Sequence, residues 1–175
     1  MPTLDKETLS KIVKSLAAER PQFCSEADFQ FALAWKIQEN FPDAEIRLEC
    51  PANLPDKSNA HIDIVVNLGG ELFPIELKWK LERHKADPDN RGMMLGDIDR
   101  LEELQMDKLE TADMNFAKTP QGIQRCFAIW LSDNHRFWYE KGKNRIHEYG
   151  EYKISWEDYA GDFKFALIDI SERRS

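Results

Sequence analysis

Three charged residues lie in two neighbouring segments in which apolar residues alternate with other residues. Asp63 lies in the run HIDIVVN, and Glu76 and Lys78 lie in the run LFPIELK that follows. Hard divalent cations such as Mg²⁺ take oxygen ligands and often use one or two carboxylates while keeping several waters. An ammonium group beside such an ion is placed to hold a water or a phosphate oxygen. These residue types therefore indicate metal-assisted chemistry on a phosphate.

The two segments are expected to pair as a β-hairpin, because Gly69 and Gly70 between them are typical of a tight turn. In that register Asp63 lies opposite Glu76, at a non-hydrogen-bonded pair whose Cα atoms are about 4.5 Å apart. Like charges that face each other destabilise a sheet. A divalent cation between the two carboxylates would compensate for this repulsion.

The same register sorts the other hairpin side chains onto two faces. One face is apolar and is expected to be the core side; it holds Ile62, Ile64, Val66, Phe73, Ile75 and Leu77. The other face holds His61, Asp63, Glu76 and Lys78. For these charged residues alone, the alternative is an ordinary surface hairpin in which Lys78 neutralises two exposed acids.

Two amphipathic helices are predicted before the hairpin. The first covers residues 5 to 19, and its apolar residues at helical spacing are Leu9, Ile12, Val13 and Leu16. The second begins after the N-cap residue Ser25 and ends near Asn40. Its apolar stripe comprises Phe29, Gln30, Leu33 and Ile37, with Glu26 at the N-terminal end. An acidic residue on that stripe requires a reason.

The remaining elements are predicted from periodicity and turn residues. They are a strand over 44 to 50, a loop through Pro51 and Pro55, a loop over 80 to 96, a helix from Asp97 to about Asp113, a buried strand over 124 to 131, and an apolar element over 163 to 170 whose type stays open. Asp97 and Arg100 lie near one side of the predicted helix. Either could reach the site or a phosphate, although an ion pair within the helix is the favoured interpretation.

Length and composition limit the class of protein. A chain of 175 residues with 42% hydrophobic and 32% charged residues predicts one folded domain. No apolar run is long enough to span a bilayer, so no membrane partner is expected. Asp5 and Glu7 stand where a secretory signal would be basic and then apolar, and the expected location is the cytoplasm. Cys24, Cys50 and Cys126 are odd in number and far apart, so they are interpreted as buried small residues rather than as a disulfide or zinc framework.

The formal charge of −8 disfavours a protein that coats nucleic acid by bulk electrostatics. Two basic segments are nevertheless candidates for nucleic-acid contacts. The first follows the second hairpin strand and contains Lys80, Arg83, Lys85 and Arg91. The second contains Lys141, Lys143 and Arg145 and follows Phe137, Trp138 and Tyr139, a mixture of cations and stacking surfaces that nucleic-acid grooves use, although a solvated hairpin is the favoured interpretation.

Taken together, these residues resemble the PD-(D/E)xK, or restriction-endonuclease-like, nuclease family, and specifically a little-characterised bacterial subset of it. Asp63, Glu76 and Lys78 match the family's Asp and Glu-x-Lys motif, and Glu26 matches the acidic residue frequent on its first core helix. The stretches that carry the resemblance are SEADFQFALAW (25 to 35), HIDIVV (61 to 66), FPIELK (73 to 78) and GDIDRLEEL (96 to 104). One departure is Ile62, which stands where the family's name has Pro.

The resemblance implies an α/β (α+β) fold with a central mixed β-sheet flanked by helices. The nuclease-like core would cover approximately residues 25 to 132 of a single domain 1 to 175, between the N-terminal helix 5 to 19 and a C-terminal β-rich extension 133 to 175. It also implies that Asp63, Glu76 and the Leu77 carbonyl bind Mg²⁺ or Mn²⁺, and that Lys78 orients the nucleophilic water. Glu26 would bind a second ion or a water on the first.

The expected activity is therefore metal-dependent hydrolysis of nucleic-acid phosphodiesters, and DNA is the expected substrate. The alternative is a catalytically silent domain of the same fold that binds nucleic acid or protein within a larger assembly, and the acidic net charge favours this alternative. Nucleases of this fold often pair to cut two strands, so a homodimer or larger assembly is an open expectation.

Overall fold

The central sheet contains seven of the strands that the computed structural model describes. The model describes residues 3–54, 57–83, 90–104, 109–139 and 145–171, except for the side chains of residues 57–59, 112 and 113. The strands are β1 (Glu45–Leu54), β2 (Lys57–Leu68), β3 (Glu71–Lys80), β4 (Gly122–Ile123), β5 (Phe127–Ser132), β6 (Glu148–Tyr149), β7 (Tyr152–Lys153), β8 (Trp156–Ala160) and β9 (Phe163–Asp169). The helices are α1 (Lys6–Glu19), α2 (Glu26–Asn40), α3 (Asn90–Glu103) and α4 (Thr111–Met114).

The strand order is β1-β2-β3-β5-β9-β8, with β4 paired to the start of β3. β3 runs parallel to β5, whereas the other pairs along this order are antiparallel. Parallel neighbours need a crossover connection, and α3 lies in the connection between β3 and β5. The chain is therefore a mixed α/β protein with a central mixed sheet and helices, as expected. The apolar element near the C-terminus is the strand β9, and it lies beside β5 in the same sheet.

Both early helices form where the sequence predicts them. The Asp5 carboxylate accepts a hydrogen bond from the Thr8 amide at the start of α1, and the Ser25 hydroxyl accepts one from the Asp28 amide at the start of α2. Such caps satisfy amide groups that have no partner within the helix. The predicted apolar stripes are buried, so that α1 and α2 pack together on one face of the sheet.

The sheet carries a hydrophobic core on each face, which corrects the expectation of one apolar and one polar face. The first core lies under α1 and α2 and includes Ile64 and Ile75. The second lies under α3 and includes Val65 and Trp130. Ile62 belongs to the second core rather than to the face of Ile64, because the alternation is interrupted between them, where Glu49 of β1 has a φ of 52° and does not pair with Asp63 in the ladder.

The boundaries of β1 and α3 differ from the sequence prediction. β1 continues through Pro51 to Leu54, where a loop was predicted; β1 is an edge strand, and a proline there costs no hydrogen bond within the sheet. α3 begins at Asn90 and ends at Glu103, not at Asp97 and Asp113. Met94 and Leu95 are buried with Ile98 and Leu101, so their packing extends the helix towards its N-terminus in spite of Gly92 and Gly96.

The cysteines are all free, but only two are buried. Cys50 and Cys126 lie in the second core, whereas Cys24 is exposed, so the interpretation of all three as buried residues is wrong for Cys24. Cys24 precedes the N-cap of α2, outside its buried stripe. Within the described part of the chain, no helix has both the length and the apolarity needed to cross a membrane.

Candidate active site

The candidate site lies where β2 and β3 separate. The two strands pair in the predicted register from Leu68 opposite Glu71 to Ile64 opposite Ile75. Gly69 and Gly70 form the turn with φ angles of 70° and 100°, which glycine adopts most readily. The next positions outward are Asp63 and Glu76, one step beyond the last pair of the ladder. The predicted carboxylates therefore meet at the opening of a fork, not within a continuous hairpin.

Beyond Ile75, two carboxylates take the place of β2 along the edge of β3. The Leu77 amide donates to Asp63 Oδ2 at 2.6 Å, and the Trp79 amide donates to Glu26 Oε2 at 2.9 Å. Amides of alternate residues in a strand point to the same edge, and β5 covers the other edge of this part of β3. Glu26, at the N-terminus of α2, and Asp63, on β2, are thus brought to one open edge by main-chain hydrogen bonds.

The Leu77 carbonyl points to the same edge as the Leu77 amide. It accepts a hydrogen bond from Lys78 Nζ at 2.8 Å. No strand covers this carbonyl in the described structure, because the ladder with β2 has ended. The Leu77 carbonyl oxygen, which the resemblance implies as a metal ligand, therefore lies beside Asp63 and already accepts a hydrogen bond from Lys78.

Glu76 is buried, with an exposure of 1%, and its two carboxylate oxygens differ. Oε2 lies 3.3 Å from Arg100 Nη2. Oε1 has no hydrogen-bond partner among the described residues. Burial, together with the charges of Asp63 and Asp97, raises the pKa of Glu76 well above its usual range. Ionisation of Glu76 is therefore unfavourable in this environment.

Lys78 is also buried, with an exposure of 8%. Its Nζ atom lies 3.5 Å from Asp97 Oδ1 and 3.8 Å from Glu26 Oε1. Burial by itself lowers the pKa of this ammonium group, but the carboxylates of Asp97 and Glu26 outweigh burial, and the pKa of Lys78 lies above its ordinary value. Lys78 is therefore a cation at neutral pH.

Asp97 and Arg100 form the expected ion pair within α3, with 2.6 Å between Asp97 Oδ1 and Arg100 Nη2. The pair also contacts the charged residues of β3. Asp97 is fully buried, contacts Lys78, and accepts a hydrogen bond from the indole nitrogen of Trp130 at 3.3 Å. Burial raises the pKa of Asp97 to about 6, although Lys78 and Arg100 act to lower it. One helix thus holds the side chains of both Glu76 and Lys78.

Gln30 is a site residue to which the sequence analysis gave no role. Its Nε2 atom donates to the Asp63 carbonyl and to Glu49 Oε1, each at 2.7 Å. Glu49 lies on β1 with a φ of 52°, a left-handed conformation that is uncommon for glutamate. The available signal was a buried amide in the middle of the apolar stripe of α2, because a buried polar group needs a partner.

The site has the composition that a hard divalent cation requires. Four carboxylates surround two cationic side chains, so the formal charge is about −2 when every group is ionised; the acids are Glu26, Asp63, Glu76 and Asp97, and the cations are Lys78 and Arg100. Among the described residues, no group of three His, Cys, Asp or Glu side chains is already arranged as a metal cage. Two carboxylates and one carbonyl fit Mg²⁺, which keeps several waters.

The basic candidates are only partly in the described structure. Lys80 ends β3 on the same side as Lys78, and Arg83 and Arg91 are exposed. Arg145 is half-buried, and Lys85, Lys141 and Lys143 lie outside the described residues. Three aromatic residues precede the second basic segment. Phe137 is buried and stacks on Trp156, with 6.0 Å between the ring centroids, whereas Tyr139 is exposed. Phe137 therefore has no free face for a base.

Comparison of the chain with protein-family models, with curated proteins and with solved structures finds no match. A functional assignment therefore depends on the residues and the geometry of the fork.

Proposed function

We propose that this protein is a Mg²⁺- or Mn²⁺-dependent nuclease of the PD-(D/E)xK type, with a restriction-endonuclease-like core, that hydrolyses phosphodiester bonds of DNA. The observation that carries the proposal is the fork at β2 and β3. There Asp63 and the unpartnered oxygen of Glu76 lie at the end of the strand ladder, beside Lys78.

Asp63, Glu76 Oε1 and the Leu77 carbonyl would hold the ion. When bound, the ion supplies Lewis-acid activation and lowers the pKa of a water molecule. Glu26 and Asp97 hold the Lys78 ammonium between them. A buried cation in this position stabilises the negative charge that develops on the phosphate and orients the attacking water. Its ion pairs with Asp97 and Glu26 hold Lys78 as a positive charge at this position.

A catalytically silent domain is the second candidate, and two observations favour it. Lys78 and Arg100 are already paired with carboxylates, and the Leu77 carbonyl already accepts a hydrogen bond from Lys78. Such a network neutralises part of the site without an ion. The net charge of −8 also suits a protein-binding subunit better than a DNA-coating one.

The deciding experiment is incubation with linear, circular and single-stranded DNA and with RNA, in Mg²⁺, in Mn²⁺ and in a chelator. We expect divalent-dependent cleavage by the wild type and none by Asp63→Asn. Asp43→Asn is the matched control, because it removes one carboxylate charge at an exposed turn before β1. Cleavage by Asp63→Asn at the wild-type rate would overturn the site assignment. A wild type that neither binds the metal nor cleaves nucleic acid would favour the silent domain, which has no need of the ion.

Lys78→Ala separates the two roles within the site. We expect this variant to retain Mg²⁺ binding in calorimetry and to lose turnover, since the ammonium acts on water or phosphate and not on the ion. A loss of Mg²⁺ affinity as large as that of Asp63→Asn would contradict this division of roles.

A further inference from the structure

Arg100 reaches the site from α3 with only part of its guanidinium group in use. One nitrogen, Nη2, lies 2.6 Å from Asp97 Oδ1 and 3.3 Å from Glu76 Oε2. The Nε atom is buried, and among the described residues it has no hydrogen-bond partner. A buried N–H donor without an acceptor is unfavourable, and native structures seldom retain one. The guanidinium is therefore incompletely paired among the described residues.

The position of Arg100 relative to Glu76 indicates where such an acceptor would lie. Arg100 occupies one oxygen of the Glu76 carboxylate and leaves the other without a partner. The proposed ion would take the free oxygen, so the guanidinium and the ion would lie on the two oxygens of a single carboxylate. A phosphate bound to the ion would then come within reach of the guanidinium.

The chemistry of the side chain also fits a phosphate. Guanidinium presents several N–H donors in a rigid plane that matches phosphate oxygens, and it keeps its charge at every physiological pH. Lys78, the other cation in the site, already donates to the Leu77 carbonyl. The Arg100 side chain is 21% exposed although its Nε atom is buried, so a ligand in the fork would contact the exposed part of the side chain first.

We propose that Arg100 binds the phosphate of the DNA substrate next to the metal ion. This inference rests on the proposed function and adds a substrate-binding residue to it. Asp97 and Glu76 hold the guanidinium in place before the substrate arrives, which reduces the ordering that binding requires.

The test measures DNA binding in the absence of cleavage. The probe is a fluorescein-labelled DNA duplex, and its anisotropy is followed in Ca²⁺, in place of Mg²⁺, and in a chelator. Arg100→Gln should weaken the Ca²⁺-dependent affinity about tenfold, the effect of losing one charged hydrogen bond. The slope of log affinity against log salt should flatten by about 0.9, because one phosphate contact is lost.

Two further variants control for charge and for folding. Lys11→Gln removes the same charge from an exposed position on α1, where Lys11 pairs with Glu7, and should leave both quantities at wild-type values. Arg100→Lys keeps the charge but loses the planar fork, so its affinity should lie between those of the wild type and Arg100→Gln. If Arg100→Gln does not fold, Arg100→Lys carries the test, and wild-type affinity in that variant would overturn the inference.

Calorimetry with Mg²⁺ separates this inference from the proposed function. Arg100→Gln should bind Mg²⁺ at least as tightly as the wild type, because a nearby positive charge has been removed. If Arg100→Gln lost Mg²⁺ binding to the extent expected for Asp63→Asn, Arg100 would only orient Glu76, and the inference would be overturned. Unchanged DNA affinity in Arg100→Gln, with normal Mg²⁺ binding, would overturn the inference alone. A wild type that binds no Mg²⁺ would remove both proposals.

Discussion

Glu76 is the residue at which the proposed metal binding conflicts with the stability of the metal-free protein. Its carboxylate is buried, faces Asp63, and has one oxygen without a partner in the described structure. Ionising it in the metal-free protein is unfavourable, as its raised pKa indicates. The proposed metal ion would offset this cost.

We therefore expect Glu76→Gln to stabilise the metal-free protein at neutral pH by about 1 kcal/mol, which corresponds to a melting temperature roughly 2–4 °C higher. Glutamine can donate to Asp63 while it still accepts from Arg100. A group whose pKa is raised in the folded state contributes its stability below its unfolded pKa and loses it as the pH rises through the folded pKa. The advantage of Glu76→Gln should thus shrink as the pH falls towards the ordinary value for glutamate.

Thermal melting with a chelator, at neutral and at acidic pH, measures this difference. Mg²⁺ should raise the melting temperature of the wild type by mass action and should do so much less in Glu76→Gln. Equal melting temperatures and equal responses to Mg²⁺ would instead show that Glu76 neither destabilises the metal-free protein nor binds the ion.

At the scale of elements, α3 does more than connect β3 to β5. It packs its apolar side on the second core, and it places Asp97 and Arg100 against the charged residues of β3. A helix with this role is expected to be well ordered near Asp97. Gly96, one residue earlier, works against that order, because glycine loses more backbone freedom in a helix than alanine does.

Gly96→Ala should therefore stabilise the protein by about 0.5–1 kcal/mol. No atom lies within 4 Å of a Cβ built at Gly96 among the described residues, so the methyl group meets no obstacle there. Urea denaturation at constant m-value measures the gain. Gly70→Ala is the contrasting control: its φ of 100° is unfavourable for alanine, and that variant should be less stable than the wild type. A destabilised Gly96→Ala would show that α3 has a closer neighbour at this position.

At the scale of the whole molecule, the sheet has a core on each face. The reactivity of the cysteines tests how tightly the second of these cores is closed. Cys50 and Cys126 are buried in the second core, and burial raises the pKa of each thiol to about 12. The thiolate is the reactive form, so these two should react slowly at mildly alkaline pH. Cys24 is exposed and should react at once.

Labelling with a maleimide followed by mass spectrometry should show one modified cysteine in the native protein and three in urea. Cys24→Ser should then show none until the protein unfolds. Rapid native labelling of Cys50 or Cys126 would mean that the second core, which lies against α3, opens readily.

The local part of the site was predictable from the sequence. The register of β2 and β3 follows from two glycines and from alternation over a few residues, which are short-range properties, and it places Asp63 next to Glu76. The N-cap of α2 and its buried stripe are equally local, and they make Glu26 conspicuous. The resemblance to a nuclease family used these same residues and stays a prediction.

Other features depended on contacts between residues distant in the chain. The end of the β2–β3 ladder at Ile64, the network from Gln30 to Glu49, and the reach of Arg100 to Glu76 each join separate elements. The early start of α3 has the same cause, because packing on the second core outweighs two glycines. Alternation and capping are read within one segment, so the sequence by itself determined which residues are candidates for the site. Tertiary packing decided which of their atoms face one another.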